Sequence, residues 1–440
     1  MVDLLVIGAG LSGLTAAYTA AKAGLQVKII AKGLGALHWS AGTVDVLGYL
    51  PGDENPVQQP LAALNALPDG HPYKLTDVPA ALAAFEAMLD SLGLGYGRAA
   101  NDENWLLPSP VGAARPAFLA PQAQQAGSLR SDAPMVIVGF TGLRDFYPQL
   151  IAENLTKQGH QARAEFLPLE LLTSRHDSNT IHQAQGLEDA GRRKKLGQAL
   201  KELAKPGERI GLPAILGLDD HMQVWTDLQS QAGAPLFEIP TLPPSVPGTR
   251  LFRALRQQLR QMGVRVEAGM EVIEVSRDWR LETRDSQSPV SNPSTPLKTS
   301  LRSPTSKIEW VATETSARPL KHRARAFLLA TGGILGGGFD SDVNGRVWET
   351  IFHLPLTVPQ KRYDWFRASF LDAQGHPVFR GGVTTGADFR PVDETGQPIF
   401  ANLYAAGGVL AHCDPILERS LEGTAVVSGT AAAQAILIDD

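Results

Sequence analysis

"VDLLVIGAGLSGLTAAYTAAKAGLQVKIIAKG", residues 2–33, decides the fold. Leu4 to Ile7 form a short apolar run suited to a buried parallel strand, a small-residue helix follows to about Gly24, and a second strand runs from Gln26 to Ala31. Between strand and helix, Gly8, Gly10 and Gly13 hold the G-x-G-x-x-G spacing. Gly8 allows the tight turn, Gly10 lets the backbone approach a phosphate, and Gly13 lets helix and strand pack closely. The helix N-terminus then offers amide groups and a positive dipole end, so Gly8, Gly10, Ser12 and Gly13 are the expected phosphate cradle. An acidic residue for a nucleotide ribose is due about 20 residues beyond the glycines. Ala31, Lys32 and Gly33 stand there instead. Lys32 and Gly33 therefore face either a phosphate, as in an NADP site, or a ligand that has no adenosine ribose at that point.

The residues that follow distinguish these readings. A nicotinamide dehydrogenase would continue with further strand-helix units, whereas "ALHWSAGTVDVLG", residues 36–48, is a small-residue turn with Ser40, Gly42 and Thr43, suited to a flavin's phosphate and ring. "ARAFLLATGGILGGGF", residues 324–339, reads as a strand closed by Thr331 and Gly332. "IFANLYAAGGVLAHCDPILERSLEGTAVVSGTAAAQAILI", residues 399–438, reads as a strand to Gly407, an acidic Asp414 and a helix from about Glu422. Three glycine-closed strands feeding one site are far more specific than the first motif alone.

Composition bounds the rest. The 440 residues suffice for two domains with real cores, and 43% hydrophobic with 19% charged is ordinary for a globular chain. Forty basic against 45 acidic side chains leave a net charge of −5, which argues against a nucleic-acid or anionic-membrane partner. One cysteine excludes an internal disulfide and an iron–sulfur cluster ligated by several thiolates of this chain. Ten scattered histidines show no metal-ligand spacing, so no metal site is expected. Leu4 to Ala21 is interrupted by hydroxyl residues and preceded by Asp3, unlike a signal peptide or a membrane span. No other window reads as a span, and the expected location is cytoplasmic, with membrane attachment at most peripheral.

With these motifs the chain resembles flavoprotein oxidoreductases of the fumarate reductase and glycerol-3-phosphate dehydrogenase kind. More closely, it resembles the B-subunit family of the anaerobic glycerol-3-phosphate dehydrogenases, through "VIGAGLSGL", "GALHWSAGTVDVLGYLP", "GFTGLRDFYPQLIAENL" and "LYAAGGVLAHCDP". The resemblance implies a glutathione-reductase-like α/β nucleotide fold: a parallel sheet in three layers with an inserted α+β cap or substrate domain. It implies two partners, a catalytic flavoprotein and an iron–sulfur, membrane-attached protein, which are the A and C subunits of such complexes. Together these oxidise glycerol 3-phosphate and pass electrons to a quinone. The associated cofactor is FMN, which would need no carboxylate for an adenosine ribose; FAD is the alternative, its adenine seated by backbone around Glu271 and Val272. By motif, Ser40 and Gly42 close over the phosphate, Thr331 and Gly332 lie beside the nucleotide, and Gly407 and Asp414 lie beside the ribityl chain. The helix beginning at Gly423, Thr424 and Ala425 points at the flavin's pyrimidine edge, where negative charge gathers on reduction.

On this reading residues 1–50, 249–335 and 390–440 form the flavin domain, and 51–248 with 336–389 form the cap. "TRDSQSPVSNPSTPLKTSLRSPTSKIEW", residues 283–310, is a Ser/Pro-rich excursion expected to be flexible. Arg250, Arg253, Arg256 and Arg260 read as a solvated helix face, and Arg192 to Lys195 as a solvated helix start. Alcohol oxidation needs a base and a cation for an anionic substrate. His38 and His412 are the candidate bases, and Arg346, Arg380 and Arg419 the candidate phosphate ligands. Three functions remain open: a dehydrogenase subunit that acts on glycerol 3-phosphate, a flavin-bearing electron-transfer or assembly protein, and a stand-alone flavin oxidoreductase of another small anionic substrate.

Overall fold

The computed structural model describes residues 1–173, 179–277, 306–316 and 318–439. Strands β1 (Val2–Ile7) and β2 (Val27–Ala31) flank helix α1 (Leu11–Lys22). There follow α2 (Val78–Ser91), β3 (Met135–Thr141), α3 (Pro148–Lys157), β4 (Ala162–Pro168) and α4 (Ala190–Leu203). Next come β5 (Arg209–Pro213), α5 (His221–Ala232), β6 (Leu236–Ile239) and α6 (Val246–Gln261). The chain goes on through β7 (Arg265–Ala268), β8 (Val272–Arg277), β9 (Ile308–Thr313), β10 (Leu320–His322) and β11 (Ala324–Leu329). Strand β12 (Leu403–Ala405) and helix α7 (Leu421–Ile438) complete these elements.

The first sheet has the order β7-β2-β1-β11-β12, and every neighbouring pair is parallel. Ile7 pairs with Ile30 on one side and Leu329 on the other, so the strands end level and their following loops meet. Leu4 to Ile7 are buried, as a central strand covered on both faces requires. Helix α1 packs against α6 and α7 over this sheet, and the antiparallel β8-β9-β10 meander reaches β11. Gly429 makes the α1–α7 crossing close: a Cβ there would stand 2.5 Å from the Ser12 carbonyl oxygen.

The second sheet, β6-β5-β3-β4, is also wholly parallel. Two small antiparallel pairs, Tyr96–Arg98 with Leu119–Pro121 and Trp105–Pro108 with Ala114–Ala117, give the insert part of its expected α+β character. Its largest sheet is nonetheless α/β, and the buried run Met135 to Phe140 on β3 is the cause, because a strand apolar on both faces must be covered on both. Helix α2 lies within 51–248 but packs on α7 and shares the core of the first sheet.

Several local expectations change. Arg250 is buried and forms a bidentate pair with buried Glu238, at 2.7 and 2.8 Å, so it ties α6 to β6 rather than facing water. Arg253 does remain exposed, paired with Asp219. Arg193 is likewise buried, donating to Asp227 at 2.6 Å. Of the 283–310 excursion, residues 283–305 lie outside the described residues, and Ile308 to Trp310 already belong to β9. Among the described residues one helix, α7, is long and apolar enough to cross a membrane, contrary to the expectation of none; it is mostly buried within the fold, its residues Val426 to Ala433 packed inside.

Candidate functional site

The loops leaving β1, β11 and β12 converge at the N-terminus of α1. Gly8 has φ +123°, and a Cβ on it would stand 2.1 Å from the Ala330 carbonyl oxygen, so only glycine lets β1 and β11 close this tightly. Gly407, with φ +80°, meets α1 in the same way: a Cβ there would stand 2.4 Å from the Ser12 hydroxyl. The Gly407 amide donates to Ser428 Oγ at 2.8 Å, which ties β12 to α7. Gly13 abuts the Gly8 carbonyl, as close strand-helix packing requires. Thr331 and Gly332 follow β11 directly, and Gly333 presses on the Gly408 carbonyl.

This cradle suits a phosphate-bearing nucleotide. The first turn of α1 has no side-chain cap and no acidic residue, leaving its amides and dipole to an anion. Nothing lies within 4 Å of where a Gly10 Cβ would stand, so the space over the helix start is open. Thr331 Oγ1 is buried without a hydrogen-bond partner beside it. The residue that closes against Gly10 is Gly35, with φ +77° and a built Cβ 2.7 Å from the Gly10 Cα. Ser40 and Gly42, expected to close over the phosphate, pack instead on the start of α6: a Gly42 Cβ would stand 2.3 Å from Pro247 Cβ, and a Gly248 Cβ 3.1 Å from Ser40 Oγ.

At the other end of the cradle, the Met270 amide donates to the Ala31 carbonyl at 2.9 Å, which brings the residues after β7 alongside the end of β2. Glu271 Oε1 there accepts from Lys32 Nζ at 2.7 Å, and Val272 opens β8 next to it. Lys32 is thus paired with a carboxylate. Gly33 is exposed beside it.

At the start of α7 one backbone donor is taken by protein. The Gly423 amide donates to the Asp45 carbonyl at 3.0 Å, and Gly423 lies against the Tyr73 hydroxyl, so protein already occupies this first-turn donor. Thr424 and Ala425 are buried, Thr424 Oγ1 without a partner. Glu422 lies among Asp45, Arg115 and Arg419; burial and the Asp45 charge push its carboxyl up to about 8. Arg115 is buried and donates to Thr43 Oγ1 at 2.6 Å, with Asp45 Oδ1 at 3.5 Å. Arg115 and Arg419 are near enough to oppose each other's charge. Sequence reasoning missed Arg115, Asp45 and Glu422, whose only local signal is the spacing of Thr43 and Asp45.

Asp414 turns one carboxylate oxygen to backbone amides and leaves the other, Oδ2, buried without a hydrogen-bond partner. Its Oδ1 accepts from the Leu417 and Ile416 amides at 3.0 and 3.3 Å, and its Oδ2 is buried against Gly375, which raises its pKa. Buried Glu418 braces the same turn, accepting from the Asp414 amide and from His71 Nε2 at 3.1 Å.

Of the candidate catalytic groups, His412 and Arg380 assemble beside Asp414: the His412 amide donates to the Arg380 carbonyl at 3.0 Å, Arg380 acts electrostatically on Asp414, and His412 Nε2 stands 3.2 Å from Thr384 Oγ1. Arg346 is apart from them, exposed on a hairpin formed by Phe339–Ser341 and Val347–Glu349. His38 is held by α6. Its Nδ1 lies 3.2 Å from Thr249 Oγ1, whose own proton goes to the Ser245 carbonyl at 2.6 Å. Thr249 therefore accepts from His38 Nδ1–H, which leaves the lone pair on Nε2. That Nε2 is buried without a partner, and burial with the nearby Arg253 charge lowers the His38 pKa, keeping the ring neutral.

A family model described as an FAD binding domain matches residues 3–420. The B subunit of the probable anaerobic glycerol-3-phosphate dehydrogenase of Halobacterium salinarum is 32% identical over 450 residues, covering 99% of this chain and 98% of its own. The B subunits of the anaerobic glycerol-3-phosphate dehydrogenases of Yersinia pestis and Aliivibrio fischeri are 31% and 28% identical, covering 99% of this chain and 98% and 95% of theirs. Among solved structures, the 3-ketosteroid delta1-dehydrogenase of Sterolibacterium denitrificans matches over 100% of both chains at 12% identity with a TM-score of 0.45. The cofactor is a flavin. The FMN expected from the resemblance gives way to FAD, because the matching family model is that of an FAD binding domain.

Proposed function

Since this chain belongs to the FAD-binding domain family and, within it, to the B-subunit family of anaerobic glycerol-3-phosphate dehydrogenase, we propose that it binds FAD and oxidises glycerol 3-phosphate to dihydroxyacetone phosphate. The observation that carries the reading is the convergence of Gly8, Thr331 and Gly407 on the uncapped start of α1. Gly10 and Ser12 would hold the pyrophosphate, with Lys32 and Val272 at the adenosine end and the 38–48 segment at the ring end. When bound, the flavin supplies the acceptor for the hydride leaving the substrate's secondary carbon.

His38 Nε2 takes the hydroxyl proton, and Thr249 fixes the tautomer that makes this possible. Arg419, backed by Arg115, binds the substrate phosphate by paired donors. Electrons leave to partner proteins, because a chain with one cysteine cannot ligate an iron–sulfur cluster through several thiolates. A second, catalytic flavoprotein and an iron–sulfur, membrane-attached protein fill that role, with quinone as the distant acceptor and this chain on the cytoplasmic side.

The test is to mix the purified, flavin-loaded chain with glycerol 3-phosphate without oxygen. Loss of the yellow flavin absorbance supports the reading. Persistent yellow colour assigns substrate chemistry to a partner and leaves this chain an electron-transfer or assembly role.

A further inference from the structure

At the end of β2, where the sequence lacks an acid, a carboxylate stands nearby from the turn between β7 and β8. In the G-x-G-x-x-G unit the ribose carboxylate ordinarily lies about 20 residues after the glycines. Lys32 occupies that place here, and its ammonium holds Glu271 Oε1 at 2.7 Å. The two residues are 239 apart in sequence, yet the Met270 amide bonded to the Ala31 carbonyl fixes them side by side. Parallel pairing of β7 with β2, ending at Ala268 opposite Ala31, sets that register. Both side chains reach solvent, Lys32 at 75% and Glu271 at 47% exposure, so a ligand at this end of the cradle can reach them. One Glu271 oxygen is committed to Lys32, and the other is left to accept from a hydroxyl pair.

We infer that Glu271 is the adenosine-ribose ligand of this chain and that Lys32 is its positioning residue. The inference rests on the FAD reading above. The arrangement makes the dinucleotide distinguishable from the mononucleotide: FMN has no ribose at this end, so Glu271 contributes to FAD binding and not to FMN binding. An oriented carboxylate accepting from hydroxyls is a charge-assisted contact, and at a half-exposed site its loss weakens binding by about tenfold, equivalent to about 1.4 kcal/mol.

The experiment measures FAD and FMN dissociation constants by calorimetry on the full-length chain after removal of its flavin, for wild type, Glu271→Gln, Lys32→Met and the double variant. The expected result is about tenfold weaker FAD binding for Glu271→Gln with unchanged FMN binding. Lys32→Met should lose less, and the double variant no more than Glu271→Gln, because Lys32 acts through Glu271. Unchanged FAD affinity in Glu271→Gln, or an equal loss for FAD and FMN, overturns the inference while leaving the FAD reading intact. A wild-type chain that takes FMN but not FAD overturns both, and the wild-type titration alone reveals that case.

Discussion

The backbone of Gly407 lies against the side chain of Ser12, so close that a Cβ at residue 407 would stand 2.4 Å from the Ser12 hydroxyl. This contact joins the end of β12 to the first turn of α1, and the Ser428 hydroxyl holds the same glycine from α7. Gly407→Ala should therefore open the cradle. The left-handed backbone alone costs about 1 to 2 kcal/mol with a side chain, and the clash adds to it. The expected outcome is protein with a lowered melting temperature and substoichiometric flavin, read from the ratio of flavin to protein absorbance.

His38→Gln should keep its flavin and lose its chemistry. Glutamine offers no basic nitrogen, so flavin reduction by glycerol 3-phosphate should slow by about 100-fold or more. Anaerobic stopped-flow kinetics reads this directly, and a rate equal to wild type removes His38 from the mechanism.

Arg419→Gln tests the phosphate site. Removing a guanidinium from an anionic substrate should lower kcat/KM by about tenfold to 100-fold, mainly through KM, with flavin content unchanged. Arg346→Gln, on its exposed hairpin, should leave both parameters near wild type.

Glu422 gives the fold a pH dependence of known sign. Burial and Asp45 raise its pKa to about 8, above the 4.5 of a free glutamate. Between those values the folded chain holds a proton that the unfolded chain has released, so this group's contribution to stability is present below about pH 4.5 and falls as pH rises through 8. Glu422→Gln removes that loss. Its melting temperature relative to wild type should rise from pH 5 to about pH 8, by a few degrees, and level off above that; a constant difference would contradict the assignment.

What the sequence made legible was local. The glycines Gly8, Gly13 and Gly332 mark positions where backbone meets backbone, and Gly407 one where backbone meets the Ser12 side chain. The parallel first sheet followed from runs such as Leu4 to Ile7, which admit no water on either face. The pairings that define the rest of the site cross long stretches of chain. Lys32 with Glu271, Thr249 with His38, and Arg115 with Asp45 depend on strand register and helix docking, neither of which leaves a local pattern. The same limit explains Arg250, which shares a charged helical stripe with Arg253 but faces inward to Glu238. The start of α7 shows the same limit: a helix N-terminus signals available amides, and only the tertiary packing reveals that the Asp45 carbonyl takes that of Gly423.

The most direct measurement is to denature the purified chain by heat and identify the released nucleotide by chromatography and mass. One FAD per chain is the expected result, placing a dinucleotide across the cradle from Gly407 to Lys32. Release of no flavin would contradict the assignment of this chain as a flavoprotein, and release of FMN alone would contradict the dinucleotide site.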